Sequence, residues 1–207
     1  MAATTTPGVF IAFEGGDGCG KSTQSQILKE HFKKAGRQVV LTREPGGTEM
    51  GKSIRSLLLH GQDVDPVTEA LLYAADRAHH VESLIRPALE AGKVVITDRF
   101  LASSIAYQGY GRGQDLELIA DLGEIATRGL TPDLTFLLEV PPQTALRRIE
   151  TEADRFEKLG AGFQEKVQAG FREIAAKDPL SWVSIVGGGS IEEIAAQIWG
   201  EVQRRGL

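Results

Sequence analysis

Five short runs of apolar, largely β-branched residues recur along the chain, at Val9–Phe13, Gln38–Thr42, Val94–Thr97, Leu134–Val140 and Trp182–Val186. Between them lie longer stretches in which apolar residues return at helical spacing: Lys21–Ala35, Met50–His60, Val67–Ala91, Leu116–Arg128, Gln143–Glu150, Phe163–Ala176 and Ile191–Arg204. The first pattern predicts strands and the second amphipathic helices. The strand runs are almost continuously apolar, as they must be when helices cover both faces of a sheet. Strand alternating with helix predicts βαβ units, a parallel sheet of five strands and a three-layer α/β/α architecture.

The turn residues agree. Ala35-Gly36 and Ala91-Gly92 each close a helix just before a strand, where glycine can take the left-handed cap conformation. Asp65-Pro66 pairs an N-cap with a proline at the first helical position. Asp178-Pro179 stops a helix ahead of the fifth strand. No internal repeat, low-complexity stretch or linker divides the chain, so residues 1–207 are expected to form one domain, with 1–8 as a flexible tail.

Composition narrows the partners. The 207 residues suffice for one substantial core. A net charge of -5 argues against a nucleic-acid backbone as partner, but leaves small phosphorylated substrates open, since these need only a few basic residues at one site. Cys19 is the sole cysteine, so neither an intramolecular disulfide nor a Cys/His zinc cluster is expected. No apolar run approaches the length of a membrane span, and Met1–Gly8 lacks the features of a secretory signal. A cytoplasmic setting, with no membrane and no nucleic acid as partner, is the expectation.

The candidate chemistry starts at Gly15-Gly16-Asp17-Gly18-Cys19-Gly20-Lys21-Ser22, which fits G-x-x-x-x-G-K-[ST] between a predicted strand and a predicted helix. Glycines there let successive backbone N–H groups turn inward around a phosphate, and the helix start adds its positive end. Lys21 suits the β- and γ-phosphates of a nucleoside triphosphate, and the Ser22 hydroxyl suits Mg²⁺. Cys19 reads as a small filler in this loop rather than as a reactive thiol. After the third strand comes Asp98-Arg99-Phe100. A carboxylate at that strand end is where a Mg²⁺-linked Asp belongs, and the planar fork of Arg99 suits a phosphate. The chain has no Asn, so it lacks the Asn-Lys-x-Asp guanine signature, and Asp98 is followed by Arg rather than a second acid. Arginines scattered through helices and loops suit a kinase of small phosphorylated molecules.

Several longer segments carry a specific likeness. Thr42-Arg43-Glu44-Pro45-Gly46-Gly47-Thr48, Phe13-Glu14-Gly15-Gly16-Asp17-Gly18, and Asp98-Arg99-Phe100 with Ser103-Ser104, Ala106-Tyr107-Gln108-Gly109 and Gly111-Arg112-Gly113 resemble bacterial thymidylate kinases in order and spacing. Leu134–Val140 and Asp154-Arg155-Phe156-Glu157 fit the same pattern. The resemblance implies a P-loop NTPase fold, ATP as phosphoryl donor with Mg²⁺, dTMP as acceptor, and a homodimer. It implies that Tyr73 stacks on the thymine and that Arg77, Ser104 and Gln108 contact the base. Arg43, Glu44 and Arg55 would approach the sugar and phosphate. Asp17 would sit at both the donor and the acceptor, and Arg99 would grip the acceptor phosphate. Gly18 stands where some members carry an arginine, so the arginine over the transferring group is expected from a lid at about 147–160. Arg147, Arg148 and Arg155 are its candidates, and Arg155 is the best motif match. Lys21, Arg99 and Arg155 would then be the catalytic set, with Ser22 and Asp98 holding the metal. Gly187-Gly188-Gly189 reads either as the adenine side or as a flexible turn. Two alternatives stay open: a kinase of another nucleotide or deoxynucleoside, and a P-loop regulator that transfers nothing. The intact Lys21, Ser22, Asp98 and Arg99 argue against the second.

Overall fold

The computed structural model describes residues 7–61, 64–141, 144–145 and 159–207. Its strands are β1 (Val9–Glu14), β2 (Val39–Arg43), β3 (Val94–Asp98), β4 (Leu134–Glu139) and β5 (Trp182–Val186). Each falls within one residue of the expected bounds. All neighbouring pairs are parallel, in the order β2-β3-β1-β4-β5. Every residue of β1 is buried, which explains why its apolar run is unbroken. Ile11 and Phe13 face one layer, where Leu28, Phe32 and Ile198 meet them. Phe10 and Ala12 face the other, packing with Val81, Ile85 and Phe100.

The helices are α1 (Lys21–Lys34), α2 (Glu49–His60), α3 (Pro66–His80), α4 (Arg86–Glu90), α5 (Leu101–Ser104), α6 (Leu116–Thr127), α7 (Ala161–Lys177) and α8 (Ile191–Arg204). The caps follow the turn residues. Gly36 and Gly92 are left-handed, with φ of 80° and 71°. The Asp65 carboxylate accepts from the N–H groups of Val67 and Thr68. Thr48 and Ser190 cap α2 and α8 in the same way, and Glu193 completes a capping box. Among the described residues no helix is long and apolar enough to cross a membrane.

Two features depart from the sequence pattern. The single helix expected over Val67–Ala91 is interrupted by a π turn at Val81–Ile85, where Arg86 N–H donates to Val81 O. Residues after Phe100, which lie between the expected helices, are helical too: α5 runs into a second π turn at Ile105–Gly111. There Arg112 N donates to Tyr107 O at 2.9 Å, an i→i+5 bond. Glycine permits this packing, because a Cβ at Gly111 would lie 2.6 Å from the Phe163 ring. Of the helix expected over Gln143–Glu150, Thr144 and Ala145 are helical, and the remainder lies outside the described residues. So do Arg147, Arg148 and Arg155, the lid at about 147–160 apart from its last residues, and residues 1–6 of the expected tail. Pro7, the first described residue, accepts from Arg37 at 2.9 Å.

Candidate active site

The order β2-β3-β1-β4-β5 sends the chain to one side after β1 and to the other after β3. The carboxyl ends of β1 and β3 therefore border the crevice where such sheets bind ligands. The phosphate loop leaves β1 there. Gly15, Gly18 and Gly20 have φ of 131°, 72° and 100°, which L side chains rarely adopt. A Cβ at Gly18 would also collide with the backbone of Ala145, so this position has no room for an arginine. Lys21 folds back over the loop and donates to the carbonyls of Gly15 at 3.1 Å and Gly16 at 2.7 Å. Cys19 is buried against the lysine, its Sγ 3.6 Å from Nζ. No side chain caps α1, and its first N–H groups are free to meet an anion.

Ser22 Oγ donates to Asp98 Oδ2 at 2.6 Å, and Arg43 Nη2 lies 3.8 Å from the same oxygen. A hydroxyl and a carboxylate are hard oxygen donors. Mg²⁺ binds through one or two carboxylates with phosphates and water rather than in an all-protein cage. The pair fits that habit. Among the described residues no group of three or more His, Cys, Asp and Glu gathers into a cage.

Arg99 is the most constrained residue of the crevice. Its φ is 73°, left-handed for a non-glycine residue. Backbone bonds hold it so: Arg99 N donates to Phe13 O at 2.8 Å, and Thr97 Oγ1 donates to Arg99 O at 2.8 Å. Its guanidinium donates to Asp17 Oδ1 at 2.5 Å, Gly15 O at 3.0 Å and Ser103 Oγ at 3.1 Å, and lies over the Tyr107 ring. Tyr107 donates to Asp17 Oδ2 at 3.1 Å. Burial opposes ionisation of Asp17, but Arg99 and Lys21 outweigh it and hold the carboxyl well below the usual range. Behind Arg99, Glu14 is wholly buried. It accepts from Phe100 N at 2.9 Å, Ser103 N at 3.2 Å and Ser103 Oγ at 2.5 Å. Burial pushes its pKa up to about 7, against the lowering effect of Ser103 and Arg99.

The expected base-side residues also converge. Tyr73, Arg77, Ser104 and Gln108 line one open cleft together with Leu59 and Tyr107. Arg77 is held in this wall by three of its five N–H groups, donating to Glu44 Oε2 at 2.7 Å, Ser104 Oγ at 3.1 Å and Phe100 O at 3.1 Å. Glu44, expected at the sugar and phosphate, turns inward instead. It borders the cleft, but its oxygens serve Arg77 and His80, the latter at 2.9 Å. His80 in turn meets Thr42 at 2.7 Å, tying α3 to β2. Arg55 reaches Pro45 O at 3.1 Å. A second cleft of about 330 Å³ is lined by Gly18, Gly20, Lys21, Ser22, Arg43 and Asp98. The two share Asp17, Glu44, Arg55 and Arg99.

Sequence reasoning missed Glu14, Glu69, Asp76, His80 and Tyr107. All five are buried, on segments whose helix, strand end or motif was recognised but whose side chains were given no role. Glu14 and Tyr107 stand within the segments that carry the family likeness, and Glu69, Asp76 and His80 fall with Tyr73 and Arg77 on one helical stripe, a polar line on the buried side of α3.

A phosphate loop at the sheet's crevice, opening beside an arginine-bordered second cleft, defines a P-loop kinase of small phosphorylated molecules. A family model for thymidylate kinase matches residues 13–198. The chain is 49% identical over 197 residues to a thymidylate kinase of Synechococcus sp. (strain JA-2-3B'a(2-13)), covering 95% of each. It is 50% identical over 195 residues to one of Clavibacter sepedonicus, covering 92% of each. The crystal structure of thymidylate kinase from Ehrlichia chaffeensis superposes with a TM-score of 0.81 at 35% identity, over 95% of this chain and 99% of that one. The chain belongs to the thymidylate kinase family.

Proposed function

We propose that this protein transfers the γ-phosphoryl group of ATP to dTMP, giving ADP and dTDP, with the two clefts as donor and acceptor sites. The observation that carries the reading is Arg99 at their seam, bonded to Gly15 and Asp17 of the phosphate loop. ATP phosphates lie on the N–H groups of residues 15–22, and Lys21 exchanges its carbonyl partners for phosphate oxygens. Ser22 and Asp98 hold Mg²⁺, which when bound neutralises charge on the donor phosphates. Tyr73 stacks on thymine, and Arg77, Ser104 and Gln108 meet its polar edge. Arg43 and Arg55 steer the sugar and phosphate. Arg99 grips the acceptor phosphate, held at its angle by Asp17 and Tyr107. The attacking phosphate oxygen is already anionic near neutral pH, so no general base is required. Positioning and electrostatics supply the rate.

Arg155 is the catalytic arginine expected over the transferring group, with Arg147 and Arg148 as alternatives, in a single domain at 1–207. We also propose a cytoplasmic homodimer. Its support is the apolar surface left by Leu57, Val67, Leu71, Leu118 and Ile125 on α2, α3 and α6. A coupled ADP-release assay with ATP–Mg²⁺ and each nucleoside monophosphate tests the reaction. Greater turnover with another monophosphate than with dTMP would overturn the base assignment, and ADP release independent of any acceptor would overturn the kinase reading.

A further inference from the structure

Gln108 sits on the second π turn, almost wholly buried, at the wall of the base cleft. Its amide nitrogen donates to Glu69 Oε1 at 2.9 Å. Glu69 is itself completely buried on α3 and is paired with Arg112, whose Nη2 lies 2.8 Å from Oε2. A carboxylate paired with a guanidinium offers only acceptors. The Gln108 amide therefore has one allowed orientation: its NH₂ turns toward α3, and its carbonyl oxygen is the group left for the cleft. The inverted amide would set oxygen against oxygen in a buried place.

The rest of that wall has the opposite sense. Arg77 carries donors only. Ser104 Oγ already accepts from Arg77 at 3.1 Å, which leaves its own proton to donate. The wall thus reads donor, donor, acceptor. Thymine and uracil present an acceptor at O4 and a donor at N3, which complement it. Cytosine presents a donor at N4 and an acceptor at N3, both inverted.

We infer that Glu69 sets base specificity: by fixing the Gln108 amide through the 2.9 Å bond, it makes the cleft take thymine and uracil and refuse cytosine. Glu69 is a positioning residue that never touches substrate. The inference rests on the reading of this cleft as the acceptor's base site.

The test uses dUMP and dCMP, which differ only at the edge in question, with dTMP measured alongside. Steady-state kcat/KM is compared for the full-length protein, Glu69→Gln, Gln108→Leu and the double variant, with far-UV circular dichroism to confirm folding. In the unaltered protein dUMP is preferred. In Glu69→Gln, where the new amide can donate as well as accept, the dUMP/dCMP ratio falls about tenfold or more. Gln108→Leu lowers it similarly, and the double variant falls no further. A merely structural role would change all three substrates together and leave the ratio intact, which would overturn the inference. So would a second fall of equal size in the Gln108→Leu background. Should Glu69→Gln not fold, Glu69→Met removes the same constraint. The unaltered protein decides alone if neither folds, because equal inhibition of dTMP turnover by dCMP and dUMP refutes a fixed amide. Absence of dTMP turnover in the unaltered protein would instead sink the proposed function.

Discussion

Glu14 offers the sharpest test of the crevice's electrostatics. It lies at the end of β1, wholly buried, and burial raises its pKa from 4.5 to about 7. Below pH 4.5 the folded and unfolded chains both hold the proton. Between 4.5 and about 7 the unfolded chain releases it and the folded chain keeps it, so stability falls as pH rises. Above about 7 the loss is complete, and its size is about 3 kcal/mol. Replacing Glu14 by Gln keeps the shape. The amide oxygen can accept from Phe100 N and Ser103 N, and the amide nitrogen can donate to Ser103 Oγ, which then accepts from position 14 where it now donates. The variant has no proton to lose. Its stability relative to the unaltered protein should be near zero at about pH 4.5 and should climb by about 3 kcal/mol toward pH 8. Asp76, whose pKa burial and Glu44 raise to about 6, titrates in both proteins and cancels. Urea unfolding followed by circular dichroism across this range gives the two curves. If they run parallel from pH 5 to pH 8, Glu14 does not carry a buried charge above neutrality and the reasoning fails.

Arg99→Ala should lower kcat/KM for dTMP by about 10²–10³ while leaving the far-UV spectrum intact, and an unchanged rate in the ADP-release assay would remove Arg99 from the acceptor phosphate. Glu44→Ala leaves the Arg77 guanidinium buried without its partner and should cost about 3–5 kcal/mol in urea unfolding. A loss under 1 kcal/mol would mean that Arg77 finds water or another acceptor. Chelation with EDTA should stop turnover, excess Mg²⁺ should restore it, and the thermal melt of the free protein should not move. Rate surviving chelation would contradict the role given to Ser22 and Asp98.

The sheet was readable because its three central strands, β1, β3 and β4, are buried on both faces, which calls for a nearly continuous apolar run, and the edge strands β2 and β5 keep enough β-branched residues to follow the same pattern. The phosphate loop was readable because its glycines and Lys21 serve a geometry that few other residues can adopt. Helical register was not. A π turn changes no residue class: Val81–Ile85 and Ile105–Gly111 are ordinary helical sequences whose bonding depends on what packs against them. The direction of a charged side chain was also hidden. Glu44 next to Arg43 looks like a second solvent-facing ligand, yet β2 continues into a turn that aims Glu44 at Arg77 and His80. Glu69 and Gln108 are 39 positions apart, and no local pattern links them.

The second π turn makes chain length itself part of the site. Each residue advances an α-helix by about 100°, and the widened turn holds one more residue than an α-helical path would. Deleting a single residue between Ile105 and Gly111 would let the segment relax into a regular helix. The flanks would keep their places, and the side chains inside the turn would be re-aimed by up to about 100°. Tyr107 and Gln108 could no longer both keep their angles to Asp17 and Glu69 while Arg112 kept its own. Homologues should therefore vary freely in the identity of surface positions here but not in the spacing from Arg99 to Arg112, and an indel scan should find this stretch far less tolerant than the turn at 129–133.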